Sequence, residues 1–349
     1  MNTTQPLVKQ SESPAQTDTP KVTLVVVPRE RFSCTAESLE SLYEHTQVPF
    51  ELIYVDGNSP PHIQTYLEEN SRDRGFKLIR TDYYLFPNRA RNIGMAHVKT
   101  PYFVFVDNDV VVSPGWLKAL LACAEETQAA VVGPLMCQDE PVHEVVHFAG
   151  GESHIWVDKL GRRRIREKMI AQGKRVQELL PELSRTPTEL AEFHCTLVRK
   201  SVVDQLGPLD EGMLNTKEHM DFCMSVIAAG EQVYFEPASV VTYVPGPPLE
   251  RSDLTFYMLR WSDEWTLKSL YHFRDKWNVV EDGYFKAKYR HLGWRRHVTI
   301  FTPVVNVLTL GRGSHLLLRA FAKVDHTFNR GLTWYHGRQA KRYAGGLSS

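Results

Sequence analysis

The chain has no Cys-x-x-Cys pair, and its five cysteines, Cys34, Cys123, Cys137, Cys195 and Cys223, are odd in number and scattered. That usage excludes a disulfide framework and a cysteine zinc site, and it implies a reducing, cytosolic setting. Long hydrophobic runs are also missing. Residues 298–310 are apolar but fall well short of the ~20 residues that a spanning helix needs. Residues 1–20, rich in Ser, Thr, Gln and Pro, lack a basic start followed by an apolar core, so they read as a disordered leader and not as a signal peptide. Net charge is absent too, with 41 Lys and Arg against 41 Asp and Glu. The balance is uneven along the chain. Residues 286–349 hold twelve Lys and Arg against the single Asp325, a surplus of about +11. Nor does a glycine-rich loop follow the first apolar run, where Pro28-Arg-Glu-Arg31 stands instead.

What is present is ordinary globular composition, 42% hydrophobic and 23% charged over 349 residues, enough to bury a sizeable core. From Lys21 onward the pattern alternates: strands at 22–27, 51–55, 76–80, 102–107 and 129–132, with helical runs at 36–43, 63–69, 89–97 and 116–126 between them. Five strands with crossover helices by residue 134 predict a doubly wound, mostly parallel α/β sheet.

Residues 102–112, Tyr-Phe-Val-Phe-Val-Asp-Asn-Asp-Val-Val-Val, form an apolar run without alternation, as in a central strand covered on both faces. Asp107 and Asp109 lie where it ends, and ligands of open α/β sheets gather at carboxyl strand ends. Two adjacent carboxylates need a cation or hydrogen bonds, and a hard divalent ion bound to a diphosphate supplies one. Capping of the next helix near Pro114-Gly115 is the plainer use of the same residues. Asp56, in Val55-Asp-Gly-Asn-Ser59, sits at the tip of the second strand, as a ribose or base ligand would; an Asx-turn is the alternative. Arg89 and Arg91 open a helix, where anions are favoured.

Taken in order, Val25-Val-Val-Pro28, Val55-Asp-Gly-Asn-Ser59, Ala90-Arg-Asn-Ile-Gly94 and Phe105-Val-Asp-Asn-Asp109 resemble the nucleotide-sugar half of family-2 glycosyltransferases, which have the GT-A fold. The resemblance covers residues 21–280 and implies a nucleotide-sugar half at 21–135, an acceptor half at 136–280 and a basic helical extension at 281–349. It implies that Pro28 and Asp56 line the nucleoside pocket, with Arg29, Arg91, Asn92 and Asn108 also on the donor side. Asp107 then lies near the ribose and shares with Asp109 a divalent metal, Mn²⁺ or Mg²⁺, on the donor diphosphate. The implied activity moves a sugar from a nucleoside-diphosphate-sugar to a hydroxyl of a glycan or lipid-linked acceptor, metal-dependent and inverting. A sugar nucleotidylyltransferase would need the missing glycine-rich loop. The rival reading is a degenerate transferase that binds nucleotide or glycan without turnover.

Lys217-Glu-His-Met-Asp221 opens a helix and supplies the second acidic cluster, Glu218, His219 and Asp221. Inverting transfer needs a base for the acceptor hydroxyl. The family pattern has Glu-Asp there, so His219 in the second place leaves both Glu218 and His219 as bases. Tyr243 stands where many relatives carry a metal-binding histidine. Residues 158–190, basic and then mixed with Pro181 and Pro187, read as a helix followed by a loop over the site. Trp261 and Trp265 belong to an aromatic-rich helical stretch, as core or as stacking platforms for an acceptor sugar. The basic, partly apolar C-terminal region reads as a peripheral contact with anionic lipid on the cytoplasmic face, with a helical appendage packed on the catalytic domain as the alternative and nucleic acid disfavoured. Finally, His143-Glu-Val-Val-His147 spells the zincin motif. Zinc binding would require a helix, which Val145, Val146, Pro141 and Gly150-Gly151 oppose.

Overall fold

Valine-rich runs leave no polar face to turn toward water, so the strands they form must be covered on both sides. The chain, described here by a computed structural model over residues 19–244 and 249–346, builds its core in this way; the leader expected at 1–20 falls, up to residue 18, outside the described residues. The strands are β1 (Val22–Val27), β2 (Phe50–Gly57), β3 (Lys77–Thr81), β4 (Tyr102–Asp107), β5 (Val110–Val112), β6 (Val131–Gln138), β7 (Val145–Phe148), β8 (Gly151–Val157), β9 (Arg163–Met169), β10 (Thr186–Thr188), β11 (Cys195–Arg199) and β12 (Val233–Tyr243).

The main sheet runs in the order β10-β12-β6-β11-β4-β1-β2-β3, with β5 paired to β12 and β7 to β6. β1, β2, β3 and β4 are mutually parallel, as are β6 and β12. β11 runs antiparallel to both of its neighbours, β4 and β6, and so brings its first residues to the edge where β4 ends. The helix Pro87–Met95 packs so closely on the sheet that Gly94 has no room for a side chain: a Cβ there would lie 2.4 Å from Val25 Cγ1.

Two expectations change. Residues 158–190 hold no long helix at their start; β8 and β9 form a separate two-stranded ribbon. The period there is 2, with Ile165 buried between outward Arg and Lys side chains, which a helix reading of a basic segment overlooks. Residues 143–147 are not helical either: Val145–Phe148 is strand β7, so the zincin geometry is absent.

C-terminal helices complete the fold. The long helix His315–Gly346 lies against the helices Leu254–Arg260 and Asp263–Lys276. It docks through a polar stripe: Asp325, Asn329 and Thr333, at four-residue spacing, are buried, while Leu316, Val324 and Phe328 are 79%, 67% and 60% exposed. Arg296, fully buried, ion-pairs with Asp325 at 2.6 Å and with Asp263 at 3.0 Å. Asn329 donates to the Met258 carbonyl. No helix among the described residues is long and apolar enough to cross a membrane.

Candidate active site

Parallel pairing of β1 with β4 sets Val27 beside Asp107, so the loop after β1 and the Asp107-Asn-Asp109 turn meet at the carboxyl edge. All three polar residues are buried. Asp107 accepts from Arg91 Nη2 at 2.8 Å and from His194 Nδ1 at 2.9 Å. Burial favours its neutral acid, but Arg91, His194 and Arg29 outweigh that and hold it below the usual range. Asp109 takes Arg29 Nη1 on Oδ2 at 2.9 Å, and its Oδ1 is buried without a hydrogen-bond partner. Burial, with repulsion from Asp107 and against the pull of Arg29, pushes its carboxyl up to about 6. The Arg29 guanidinium also lies 4.5 Å above the Tyr243 ring. Asn108 is different in kind. Its side chain accepts from Arg29 N and donates to the Arg31 carbonyl and Thr35, so it pins the β1 loop.

Asp56, at the end of β2, caps its own turn by accepting from Ser59 N and Oγ and is paired with Arg80. Pro28 lies close beside it across the sheet: a Cβ on Gly57 would stand 3.3 Å from Pro28 Cγ. Asn92 faces elsewhere. It donates to the Leu209 carbonyl and accepts from Leu209 N, which ties the helix Pro87–Met95 to the 208–211 loop.

Two concavities separate structural space from chemistry. The larger, about 820 Å³, is lined at the amino edge of the sheet by residues such as Thr46, Phe50, Gly75 and Lys99 and carries no converging acids. The smaller, about 210 Å³, lies at the carboxyl edge and is lined by Arg29, Arg91, Asp107, His147, Glu192, His194, Glu218 and His219. Arg260, Trp261 and Arg295 close it. The smaller one holds the groups that can move protons and bind anions.

Glu218 and His219 reach this cavity from the start of the helix Glu218–Ala228. Glu218 Oε1 is 3.5 Å from Arg260 Nη2, and its Oε2 is buried with no hydrogen-bond partner. Asp221 does not join them: it bonds Lys276 Nζ and Trp277 Nε1, each at 2.8 Å, and serves the packing of the helix Asp263–Lys276. Lys217, at φ +72°, turns the chain into the helix and buries its ammonium on Glu167 at 2.7 Å; burial pushes it down to about 7 against that attraction. Trp261 is at the cavity, but its ring lies between Arg260 and Arg295 at 4.6 and 4.5 Å, and its Nε1 donates to Glu30. Trp265 lies apart, edge-on to Phe86 in a cleft shared with the C-terminal helix.

Sequence reading missed Glu192 and His194. A trace was present: two polar residues one apart, just before an apolar strand, fall on one side of it. Asp107 N donates to the His194 carbonyl at 2.9 Å, which extends the β4–β11 pairing to this point. Burial and the Arg29 charge push His194 down to about 4, so its imidazole is neutral.

A mostly parallel sheet with buried acids at its carboxyl edge defines an α/β protein of the GT-A class. The chain belongs to glycosyl transferase family 2, whose model matches residues 23–207. It is 28% identical over 157 residues to the pre-mycofactocin glycosyltransferase of Mycobacterium tuberculosis, 45% of this chain and 30% of that protein. It is 27% identical over 108 residues, 31% and 33% of the two chains, to an uncharacterized glycosyltransferase of Haemophilus influenzae. The matches thus span about a third of those relatives. The fold resembles that of GalNAc-T7, crystallised with UDP, GalNAc and Mn²⁺, with a TM-score of 0.50 at 16% identity over 80% of this chain and 56% of that one.

Proposed function

We propose that the protein transfers a sugar from a nucleoside-diphosphate-sugar to a hydroxyl of a glycan or lipid-linked acceptor, with inversion at the anomeric carbon. One observation carries the reading: the carboxyl-edge cavity is lined by Asp107, Arg29 and Arg91 together with Glu218, which has an unpartnered carboxylate oxygen. Guanidinium groups there suit a diphosphate. Asp56 and Pro28 are the nucleoside side of the proposal, and Asp107 its ribose side.

A divalent ion fits the acid pair. Asp107, Asp109 and His194 present ligand atoms within 4.8 Å of one another, and Asp109 Oδ1 lacks a hydrogen-bond partner. Asp107 and Asp109 would hold the ion, Mn²⁺ or Mg²⁺, and its chemistry there is neutralisation of the departing diphosphate. Arg29 holds the other oxygen of Asp109 and keeps that carboxylate oriented. Glu218 takes the proton of the attacking hydroxyl, with Arg260 positioning its second oxygen. Asn108, Asn92 and Asp221 act through structure, as their hydrogen bonds indicate. The test is release of nucleoside diphosphate from a panel of UDP-, GDP- and dTDP-sugars. Release from one donor is expected to need Mn²⁺ or Mg²⁺ and to fall at least 100-fold with EDTA or Asp109→Ala. Equal rates in all conditions would refute the metal assignment.

The extension from residue 281 supports a second element of the proposal, contact with anionic lipid. The helix His315–Gly346 turns Leu316, Val324 and Phe328 outward beside Arg319 and Lys323, also exposed. An apolar face rimmed by cations suits an anionic surface. The full chain is expected to sediment with phosphatidylserine vesicles, and Leu316→Glu with Val324→Glu to weaken this by about 10-fold or more, since each buried Leu or Val side chain contributes roughly 1.5–3 kcal/mol. Unchanged sedimentation of the double variant would remove the lipid contact.

A further inference from the structure

We infer that His147, Glu192 and His194 form a transition-metal site of their own, adjoining the acid pair through His194. Their ligand atoms lie within 4.8 Å of one another, His147 Nε2 being 3.0 Å and His194 Nε2 3.8 Å from Glu192 Oε2.

Hydrogen bonds fix which ring nitrogens are available. Gln138 donates its Nε2 to Asp139, which leaves its Oε1 to accept from His147 Nδ1–H at 2.7 Å. His194 Nδ1 is likewise spent on Asp107 Oδ2 at 2.9 Å. In the neutral rings both Nε2 atoms therefore carry lone pairs, and both face a carboxylate. With both rings neutral, three acceptors converge with no proton among them. Such a cluster is repulsive unless a cation lies at its centre.

Angles support the same conclusion. Although His147 Nε2 and Glu192 Oε2 are 3.0 Å apart, they do not meet in hydrogen-bond geometry, and Glu192 Oε2 is buried with no hydrogen-bond partner. Glu192 itself is 8% exposed. Ligands of one ion behave this way, because each atom points at the metal and not at its neighbour; with bonds of about 2.1 Å they stand roughly 3.0–3.5 Å apart. The rings are held from behind by Gln138 and Asp107, the outer hydrogen bonds that orient metal-binding histidines. Tyr243 supports both rings, stacked on His194 at 5.2 Å and edge-on to His147 at 5.5 Å.

Two imidazoles and a carboxylate suit a borderline ion such as Zn²⁺ and disfavour Mg²⁺ or Ca²⁺, which take oxygen ligands. Among the described residues three protein ligands are supplied, and they line the cavity, so an ion there keeps an open position toward it, as catalytic ions do. The chemical class it would receive is a substrate oxygen, a hydroxyl or a phosphate. His147 comes from the His-Glu-x-x-His run, yet His143 is bonded to Thr242 and takes no part. The proposal rests on side-chain geometry and not on the transferase reading.

The test uses full-length protein stripped with a chelator and titrated with Zn²⁺ or Co²⁺, without nucleotide-sugar. One equivalent is expected to bind at the His147–Glu192–His194 site, the Co²⁺ form showing the visible absorption of a low-coordinate site. His147→Ala and Glu192→Gln should weaken binding at least 100-fold, and Gln138→Ala about 10-fold. Asp109→Ala should leave it unchanged. Circular dichroism checks each fold, and if His147→Ala does not fold, the near-isosteric Glu192→Gln decides. Absence of saturable binding, or binding that Asp109→Ala abolishes and Glu192→Gln retains, overturns the site.

Discussion

Glutamine at position 218 is expected to lower sugar transfer by about 10²–10⁴-fold, the usual worth of a positioned general base. Glu218→Gln preserves shape and keeps an oxygen near Arg260, whose Nη2 lies 3.5 Å from the carboxylate. It removes the ability to take a proton. Donor affinity, measured by calorimetry with the nucleoside diphosphate, should change less than about 3-fold, because the diphosphate is assigned to Arg29, Arg91 and the acid pair and not to Glu218. His219→Ala should cost less, since the unpartnered buried oxygen belongs to Glu218. Transfer retained in Glu218→Gln and lost in His219→Ala would reverse the assignment.

Loss of Arg296 is the second large effect. The guanidinium is fully buried and bonds Asp325 three times at 2.6–3.2 Å, Asp263 at 3.0 Å and the Trp261 carbonyl. Arg296→Ala strands Asp325 and Asp263 without their countercharge, and breaking a buried pair from one side costs about 3–5 kcal/mol. Urea unfolding should show this as a lower midpoint at constant slope. A double variant, Arg296→Ala with Asp325→Ala, should be less destabilised than the two single losses summed. A loss under about 1 kcal/mol would mean that the C-terminal helices are not part of the cooperative fold.

Much of the donor half was legible because its signals are local. Unbroken valine runs identify covered strands, and Asp56, Asp107 and Asp109 lie where such apolar runs are interrupted by acid. The opposite half was harder. The β8–β9 ribbon is rich in Arg and Lys, and pairing that gives such a segment its strand conformation comes from partners six to eighteen residues away, not from its own composition. Asn92, Asn108 and Asp221 were drawn toward the site by their motifs, yet each spends its side chain on a neighbouring loop or helix. His194 and Glu192 depend on a strand reversal that no local pattern announces.

That reversal separates two kinds of inheritance. Because β11 runs against β4, the chain leaves β4 at Asp107 and comes back beside it at His194, with 86 residues, β5 to β10 among them, between the two contacts. On the proposed reading, donor selectivity is written before residue 110 and the facing wall after residue 143. A crossover within buried β6, where Val131 and Val132 already fit β11 and β12, would exchange one selectivity and leave the other intact.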